Sequence, residues 1–127
     1  MEKSENRDAL QLACELTRSI YRLTREKGFG VDCGLKRKIR EAAVSSMHHI
    51  SEGYDSQSDE ASIRSMRCAK WSCTEVQNEL QVALDRQYLL PGEFEDLSEQ
   101  ASRTRIAILG FIDHLAGCDV ERLNIEL

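Results

Sequence analysis

The segment Leu35–Gly53, LKRKIREAAVSSMHHISEG, decides the fold class of this chain. Its apolar and small side chains recur three and four residues apart, which predicts a helix with a narrow, close-packing face. Cations occupy four of the five positions from 36 to 40, where positive charge opposes the helix dipole. The start of this helix therefore favours an anionic neighbour. The close-packing face comprises Leu35, Ile39, Ala42, Ala43, Ser46 and Ile50.

Three further stripes with helical spacing flank this segment, and no stretch alternates as a half-buried strand does. With the first segment they predict helices over about residues 6–27, 31–53, 58–88 and 91–116, followed by a short tail at 117–127. The sequence thus predicts a single domain over residues 1–127, an all-α antiparallel up-down four-helix bundle that is oligomeric. The other three buried faces are expected to comprise Ala9, Ala13, Leu16, Ile20 and Leu23; Met66, Ala69, Cys73, Val76, Leu80 and Ala83; and Phe94, Leu97, Ala101, Thr104, Ile108, Phe111 and Leu115.

Glycine and serine set the predicted helix ends. A serine at position 56 or 58 is expected to cap the third helix at its N-terminus, because its hydroxyl can accept from a free backbone N–H. Glycine suits the residue that follows a helix, since it adopts the left-handed conformation without steric cost. On that basis the first helix is expected to end at Gly28 and Gly30, the second at Gly53 and the fourth at Gly117.

Composition narrows the class of protein. The net charge of −5 argues against non-specific nucleic-acid binding by the whole chain, because such binding needs clustered cations. The charge is uneven: residues 1–50 hold ten Lys/Arg and seven Asp/Glu, whereas residues 51–127 hold seven and fifteen. No apolar run approaches the ~20 residues of a membrane span, and no signal-peptide core is present. We therefore expect a cytoplasmic protein whose five cysteines are reduced thiols and small core residues.

A basic stretch between residues 18 and 40 is the candidate binding surface. Its Lys36–Arg40 cluster has three interpretations: a solvated face, ion pairs between subunits with acidic residues such as Glu93, Glu95 or Glu99, and a phosphate-binding surface. In a symmetric ring, weak binding at each subunit adds up. The candidate residues for binding nucleic acid or another partner are Arg18, Arg22, Arg25, Lys36, Arg37, Lys38 and Arg40.

His48, His49 and Glu52 are the candidate metal or acid–base set, because they lie three and four apart on one helix. Metal sites in bundles also need ligands from facing helices, and no second motif is readable here. We expect instead no metal and no cofactor, with His48 and His49 at an oligomer interface and Trp71 as an interface anchor. No nucleophile–base arrangement and no phosphate-binding glycine loop is readable, so an enzyme is not expected.

The segment IREAAVSSMHHISEG (Ile39–Gly53) resembles a bacterial family, the four-helix-bundle proteins encoded in intervening sequences of 23S rRNA genes. Their second helix reads Leu-Arg-Arg-Ala-Ala-Val-Ser-Ile-Pro-Ala-Asn-Ile-Ala-Glu-Gly. This chain departs from that pattern where the family's second arginine falls on Glu41, its proline on Met47, its Ala-Asn pair on His48 and His49, and a third-helix glycine on Trp71. The matching residues are Ile39, Arg40, Ala42, Ala43, Val44, Ser45, Ile50, Glu52 and Gly53.

The resemblance implies a small cytosolic bundle that assembles into a ring-shaped homopentamer. A related branch, the accessory variability proteins of diversity-generating retroelements, binds a reverse transcriptase and nucleic acid through a basic surface. The expected function is therefore a non-enzymatic binding scaffold for RNA, DNA or a reverse-transcriptase-like protein. The alternatives are a purely structural oligomer without nucleic-acid binding and a small metal-dependent bundle enzyme.

Overall fold

The computed structural model describes the backbone of residues 2–26 and 28–126 and the side chains of residues 9–26 and 28–117. Over these ranges the chain forms four helices and no strand. Each helix packs mainly against two others, in the cyclic order α1, α2, α3, α4 and back to α1. The chain is therefore an all-α four-helix bundle. The helices are α1 (Glu2–Leu23), α2 (Cys33–Asp55), α3 (Asp59–Asp85) and α4 (Pro91–Glu126).

The predicted apolar stripes form the core. Leu16, Ile20, Ile39 and Leu80 are fully buried in a cluster near the loops that join α1 to α2 and α3 to α4. A second cluster fills the other end of the bundle around Ile50, and its members include Ala9, Ala13, Met66, Ala69, Cys73, Ile108 and Phe111. Burying such side chains contributes roughly 1.5–3 kcal/mol each relative to exposure, so the stripes account for the arrangement of the helices.

Small residues let α2 approach its neighbours closely. The Thr17 hydroxyl of α1 donates to the Ala43 carbonyl at 3.1 Å. Toward α3, the Ser62 hydroxyl donates to the Gly53 carbonyl at 2.6 Å. A Cβ at Gly53 would lie 2.6 Å from Met66 Cε. Gly53 therefore serves close packing and does not cap α2, which continues to Asp55, contrary to the sequence prediction.

The α1–α2 connection differs from the prediction because a buried loop residue takes part in the core. α1 ends at Leu23 and not near residue 27. The next N–H groups bond three residues back, Arg25 to the Arg22 carbonyl and Glu26 to the Leu23 carbonyl, so the last turn tightens. Gly28 then adopts a φ of +90°, and Phe29 is fully buried.

Ser58 caps the start of α3 as expected, and its hydroxyl accepts from Ala61 N–H.

The α3–α4 connection begins with a helix stop that carries no glycine. α3 ends at Asp85, three residues before the predicted end. Gln87 adopts a φ of +63°, and Gln87 N–H and Tyr88 N–H donate to the Leu84 and Ala83 carbonyls. These two bonds form a Schellman motif, which usually places glycine at the position of Gln87.

α4 does not stop at Gly117, so the predicted end at residue 116 is wrong. Its backbone remains helical to Glu126. One glycine inside a helix costs only about 1 kcal/mol, and no proline follows to remove a hydrogen bond. The nearby residues Ala116, Glu121 and Arg122 have good helix propensity. The predicted tail is therefore an extension of α4 in its backbone, which makes α4 the longest helix, with 36 residues.

Asp32 links the two loops at one end of the bundle. Its carboxylate accepts from Leu35 N–H at 3.2 Å, which caps α2. It also accepts from the Tyr88 hydroxyl at 3.0 Å and from the Arg86 guanidinium. These contacts, led by the backbone hydrogen bond from Leu35, lower the pKa of Asp32 below its ordinary value of 3.8. The sequence prediction began α2 at residue 31 and did not identify this cap.

Asp32 should make stability depend on pH in the acid range. A depressed carboxyl pKa stabilises the fold above the unfolded-state pKa, and this stabilisation is lost as pH falls through the folded-state pKa. We expect Asp32→Asn, which keeps a capping oxygen, to be destabilising at neutral pH and to lose that disadvantage well below pH 3.8. Urea unfolding of both proteins at a series of pH values measures this. A stability difference that stays constant with pH would exclude the role of the Asp32 charge.

Candidate functional site

An open groove of about 600 Å³ runs along the outer face of α2 beside α1. We call it the α1–α2 groove. Its lining residues on α2 recur three and four positions apart from residue 33 to residue 48, so they share one face of the helix. That face is opposite the face that carries the buried small residues. The residues that matter for its chemistry are Tyr21, Lys36, Arg37, Arg40, Val44 and His48.

Arg40 is fixed on the wall of this groove. Its guanidinium carbon lies 4.3 Å from the centre of the Tyr21 ring, within the range of a cation–π contact. Its Nε donates to the Thr24 hydroxyl at 2.7 Å, and its Nη2 donates to the Tyr21 carbonyl at 3.4 Å. Arg40 therefore satisfies groups exposed at the end of α1, and much of its donor capacity is used inside the chain.

Lys36 and Arg37 have no such partners. Neither forms an ion pair with any residue whose side chain the structure describes. Beside them, the Tyr21 ring and Val44 supply apolar surface, and Val44 is 43% exposed. The groove therefore combines an apolar floor with two cations that form no ion pair among the described side chains, and one acid, Glu41, also lines it. This combination suits a ligand that carries both apolar and carboxylate or phosphate groups.

The seven predicted binding cations do not form one surface. Arg18 and Arg22 face a separate groove between α1 and α4, together with Asp96 and Glu99. Lys38 faces the α2–α3 side, where the acids are Glu41, Glu75 and Glu79. Arg25 donates to the Tyr21 carbonyl at 3.3 Å, so the structure brings it near Arg40. The helical rotation thus spreads a linear basic stretch over three faces and places acids among the cations.

The two histidines share one carboxylate. His49 Nδ1 lies 3.0 Å from Glu52 Oε1, and His48 Nε2 lies 3.7 Å from Glu52 Oε2. Over the residues that the structure describes, no group of three or more His, Cys, Asp or Glu side chains is arranged to hold a metal ion. The assignment of His48 and His49 to a subunit contact stays a prediction.

Large apolar side chains project from the outer faces of α3 and α4. Trp71 is 60% exposed and Ile106 is 65% exposed. The role of Trp71 as an interface anchor stays a prediction, and the exposure of Ile106 and Val44 was not predicted from the sequence. A signal for Ile106 was present, because it falls between Thr104 and Ile108 but outside the spacing of the buried stripe of α4.

A family model for the 23S rRNA-intervening sequence protein matches residues 5–110. The chain belongs to this family. In solved structures it is similar to a protein of unknown function from the S23 ribosomal protein family of Bacteroides thetaiotaomicron, with 14% identity and a TM-score of 0.79. The match covers 86% of this chain and 98% of the other, and it supports the fold alone. A search of the curated proteins finds no match.

In this member of the family, most departures from the second-helix pattern lie away from the fully buried positions; the exception is Ser46, which replaces the family's isoleucine and is fully buried. Glu41 and His48 are exposed, and Met47 and His49 are half-buried. The matching residues Ala43 and Ile50 are fully buried. The matching residues thus include several that hold the bundle together, while most of the departures alter its surface.

The four cysteines whose side chains the structure describes are free thiols in different surroundings, and Cys118 lies outside those residues. Cys73 is buried, and desolvation raises the pKa of its thiol to about 12. Cys33 and Cys68 are exposed, so the expectation that the cysteines are core residues is wrong for these two. Both lie on outer faces of their helices, where the apolar stripes do not reach.

Among the described residues, none of the helices has the length and hydrophobicity required to cross a membrane.

These surroundings predict selective alkylation. At about pH 8, Cys33 and Cys68 should react readily with iodoacetamide, because only the thiolate is nucleophilic and their sulphurs face solvent. Cys73 should react only after unfolding, since burial suppresses both its ionisation and its access. Mass spectrometry of peptides from folded and urea-unfolded protein checks this. Labelling of Cys73 in the folded protein at the rate of Cys33 would contradict the packing described here.

Proposed function

We propose that this protein is a non-enzymatic module of the cytosol that assembles with copies of itself into a homopentameric ring and acts as a binding scaffold. One observation carries the proposal: large apolar side chains point outward from three helices, with Val44 on α2, Trp71 on α3 and Ile106 on α4. Leaving such side chains in water costs free energy, and covering them in an interface between copies would remove that cost.

Trp71 and Ile106 are suited to act together. Gln77 of α3 donates to the Ser98 carbonyl and the Ser102 hydroxyl of α4. Because α3 and α4 are neighbours, this pairing puts residues near 71 and 106 at a similar height when the helices run in opposite directions. An aromatic anchor beside an aliphatic side chain is a common centre of a protein–protein interface.

We also propose that the four helices alternate in direction, up and down. The cross-helix contacts support this arrangement. Between α1 and α2, Thr17 contacts Ala43 whereas Thr24 contacts Arg40, so residue numbers rise along one helix as they fall along the other. Between α2 and α3, contacts at residues 45 and 72 and at residues 53 and 62 follow the same rule. Short links between helices also favour this topology.

Light scattering coupled to size exclusion tests self-assembly. We expect a mass of five times the 14.5 kDa chain at micromolar concentration, and a much smaller mass for Trp71→Glu. Asn78→Glu is the matched control, because Asn78 is exposed two turns further along α3 and carries no apolar surface. A helical protein that shows the mass of one chain at every concentration would refute the proposal.

Nucleic-acid binding is a second candidate function, favoured by the unpaired cations Lys36 and Arg37. Acidic residues lie near Arg18, Arg22 and Lys38. They weaken the case for nucleic-acid binding, because a phosphate backbone requires a positively charged surface without acids in between. Fluorescence anisotropy with structured RNA and duplex DNA tests it. Salt-dependent binding should be lost on reversing Lys36 and Arg37 to Glu and should be less affected on reversing Arg18 and Arg22. Absence of binding at micromolar protein would remove this candidate.

A further inference from the structure

We propose that Trp71 of one copy packs on Val44 in the α1–α2 groove of a neighbouring copy. The inference rests on the self-assembly proposed above and names the two surfaces that meet. The occupant of the groove is a second copy of this chain, which presents the outer face of its α3. The evidence is the height of the two residues along the bundle, the charges on either side of them and the angle between the two surfaces.

Trp71 and Val44 lie at nearly the same height along the bundle. The Ser72 hydroxyl bonds to the Ser45 hydroxyl, and the Ser62 hydroxyl bonds to the Gly53 carbonyl. Between these two contacts α2 and α3 run in opposite directions, so Trp71 is level with residues 44–46 of α2. Copies in a closed ring are related by rotation alone. In a ring whose bundles stand parallel to its axis, Trp71 of one copy therefore lies at the height of Val44 on the next.

The outer face of α3 changes its charge at Trp71. One turn before Trp71 this face exposes the cation Arg67, and one turn after it the acid Glu75. Neither forms an ion pair with any side chain that the structure describes. The face therefore presents an aromatic side chain between a positive and a negative position, both open to a partner.

The outer face of α2 changes its charge on either side of Val44. Before Val44, the groove is lined by three cations, which include Lys36 and Arg37, and by one acid, Glu41. This half therefore keeps a net positive charge. The exposed acid Glu52 lies about two turns beyond Val44, in the other half of the helix.

Opposite charges come together when α3 of one copy lies antiparallel on α2 of the next with the two apolar residues level. Glu75 then lies within about one turn of Arg37, and Arg67 within about one turn of Glu52. Glu41 is also level with Glu75, but it is a single acid among the groove cations. The alignment that covers the apolar side chains thus also places charges of opposite sign near each other, which favours this pairing over a shifted one.

The two surfaces face directions that suit a closed ring. In the cyclic order of the bundle α2 and α3 are neighbouring corners, and Val44 and Trp71 each point away from the buried face of their helix. Their outward directions therefore differ by about a quarter of a turn. Contacts between surfaces about 90–110° apart close after about four or five copies, whereas contacts between opposite surfaces continue into a filament.

Trp71 is the only tryptophan of the chain, so its fluorescence reports this contact directly. As the protein concentration rises through the range of assembly, we expect its emission to shift to shorter wavelength and its quenching by acrylamide to fall at least about twofold, because the neighbouring copy covers it. Val44→Glu should raise the concentration of half-assembly more than about tenfold and leave Trp71 open to acrylamide. Val31→Glu is the matched control, the same substitution at an exposed valine outside the groove.

Charge exchange within the full-length chain tests the alignment of the two helices. Arg37→Glu and Glu75→Lys should each weaken assembly, because like charges then meet, and both substitutions in one chain should restore it. Sedimentation velocity over a concentration series provides the readout. The matched control is Arg18→Glu with Glu99→Lys, an equal exchange across the separate groove between α1 and α4.

Protection of Trp71 on assembly, its loss in Val44→Glu and recovery in the charge exchange support the contact, and recovery also shows that the exchanged chain folds. An oligomer in which acrylamide still reaches Trp71 keeps self-assembly but overturns this contact. So does an oligomer that Val44→Glu weakens no more than Val31→Glu does, or one that the charge exchange fails to restore. A wild-type chain that never assembles overturns the proposed function itself.

Discussion

Phe29→Ala should lower the free energy of unfolding by about 3–5 kcal/mol, the usual cost of emptying a buried phenylalanine site. Phe29 belongs to a loop, yet it is fully buried in the core cluster at that end of the bundle. Its ring centre lies 5.4 Å from that of Tyr88, which comes from the other loop. The truncation would thus remove packing from both connections at once.

Chemical denaturation with a circular-dichroism readout measures this effect. Val31→Ala is the matched control, because Val31 lies two residues away in the same loop and is 87% exposed. We expect Val31→Ala to change stability by less than about 0.5 kcal/mol, as substitutions away from packed sites do. Similar costs for the two variants would show that Phe29 is not buried in solution.

Ala43→Leu is expected to cost about 1–3 kcal/mol or more, because it inserts side-chain volume where two helix backbones meet. Ala43 is fully buried, and its carbonyl accepts the hydrogen bond from Thr17 of α1. A larger side chain would push α1 away and lengthen that bond. This substitution therefore tests the close-packing face from which the fold was predicted.

Val44→Leu provides the comparison, since it adds a methylene at the next residue of the same helix on the exposed side. Both variants can be compared by thermal and urea unfolding against wild type. Equal stability of Ala43→Leu and Val44→Leu would mean that α2 has room at Ala43, and it would remove the argument for close approach.

The helices could be predicted because their apolar periodicity is strong and local. Every residue of the stripe from Ala9 to Leu23 is buried, and so is every residue of the stripe from Met66 to Ala83. Helix period alone identifies such faces, whatever the neighbouring element is. The burial of Ala42, Ala43 and Ser46 also follows, because only small residues allow two helices to approach closely.

Helix ends were less predictable because tertiary contacts set them. Gly53 resembles a cap in sequence, but Met66 occupies the space that a side chain there would need. Gly117 resembles a stop, but nothing after it prevents the helix from continuing to Glu126. The α3 stop uses Gln87 where sequence rules expect glycine. Asp32 was the avoidable error, since an Asp three residues before a buried Leu is an ordinary N-cap signal.

The candidate site was predicted in part. Lys36 and Arg37 form no ion pair among the described side chains, and the expectation that they bind an anion stays a prediction. The separation of Arg18 and Arg22 from them could not be read from the chain, because it depends on which helix lies beside α1. Arg40 could not be assigned either, since its contacts with Tyr21 and Thr24 arise only when α1 packs on α2.

The central claim is that copies of this chain associate through the apolar side chains exposed on its outer faces, with Trp71 as the anchor. Native mass spectrometry of the full-length protein, before and after Trp71→Glu, tests it most directly. The account predicts ions of five copies for the wild type and ions of single copies for the variant under the same conditions. Single copies for the wild type, or five copies for both proteins, would contradict it.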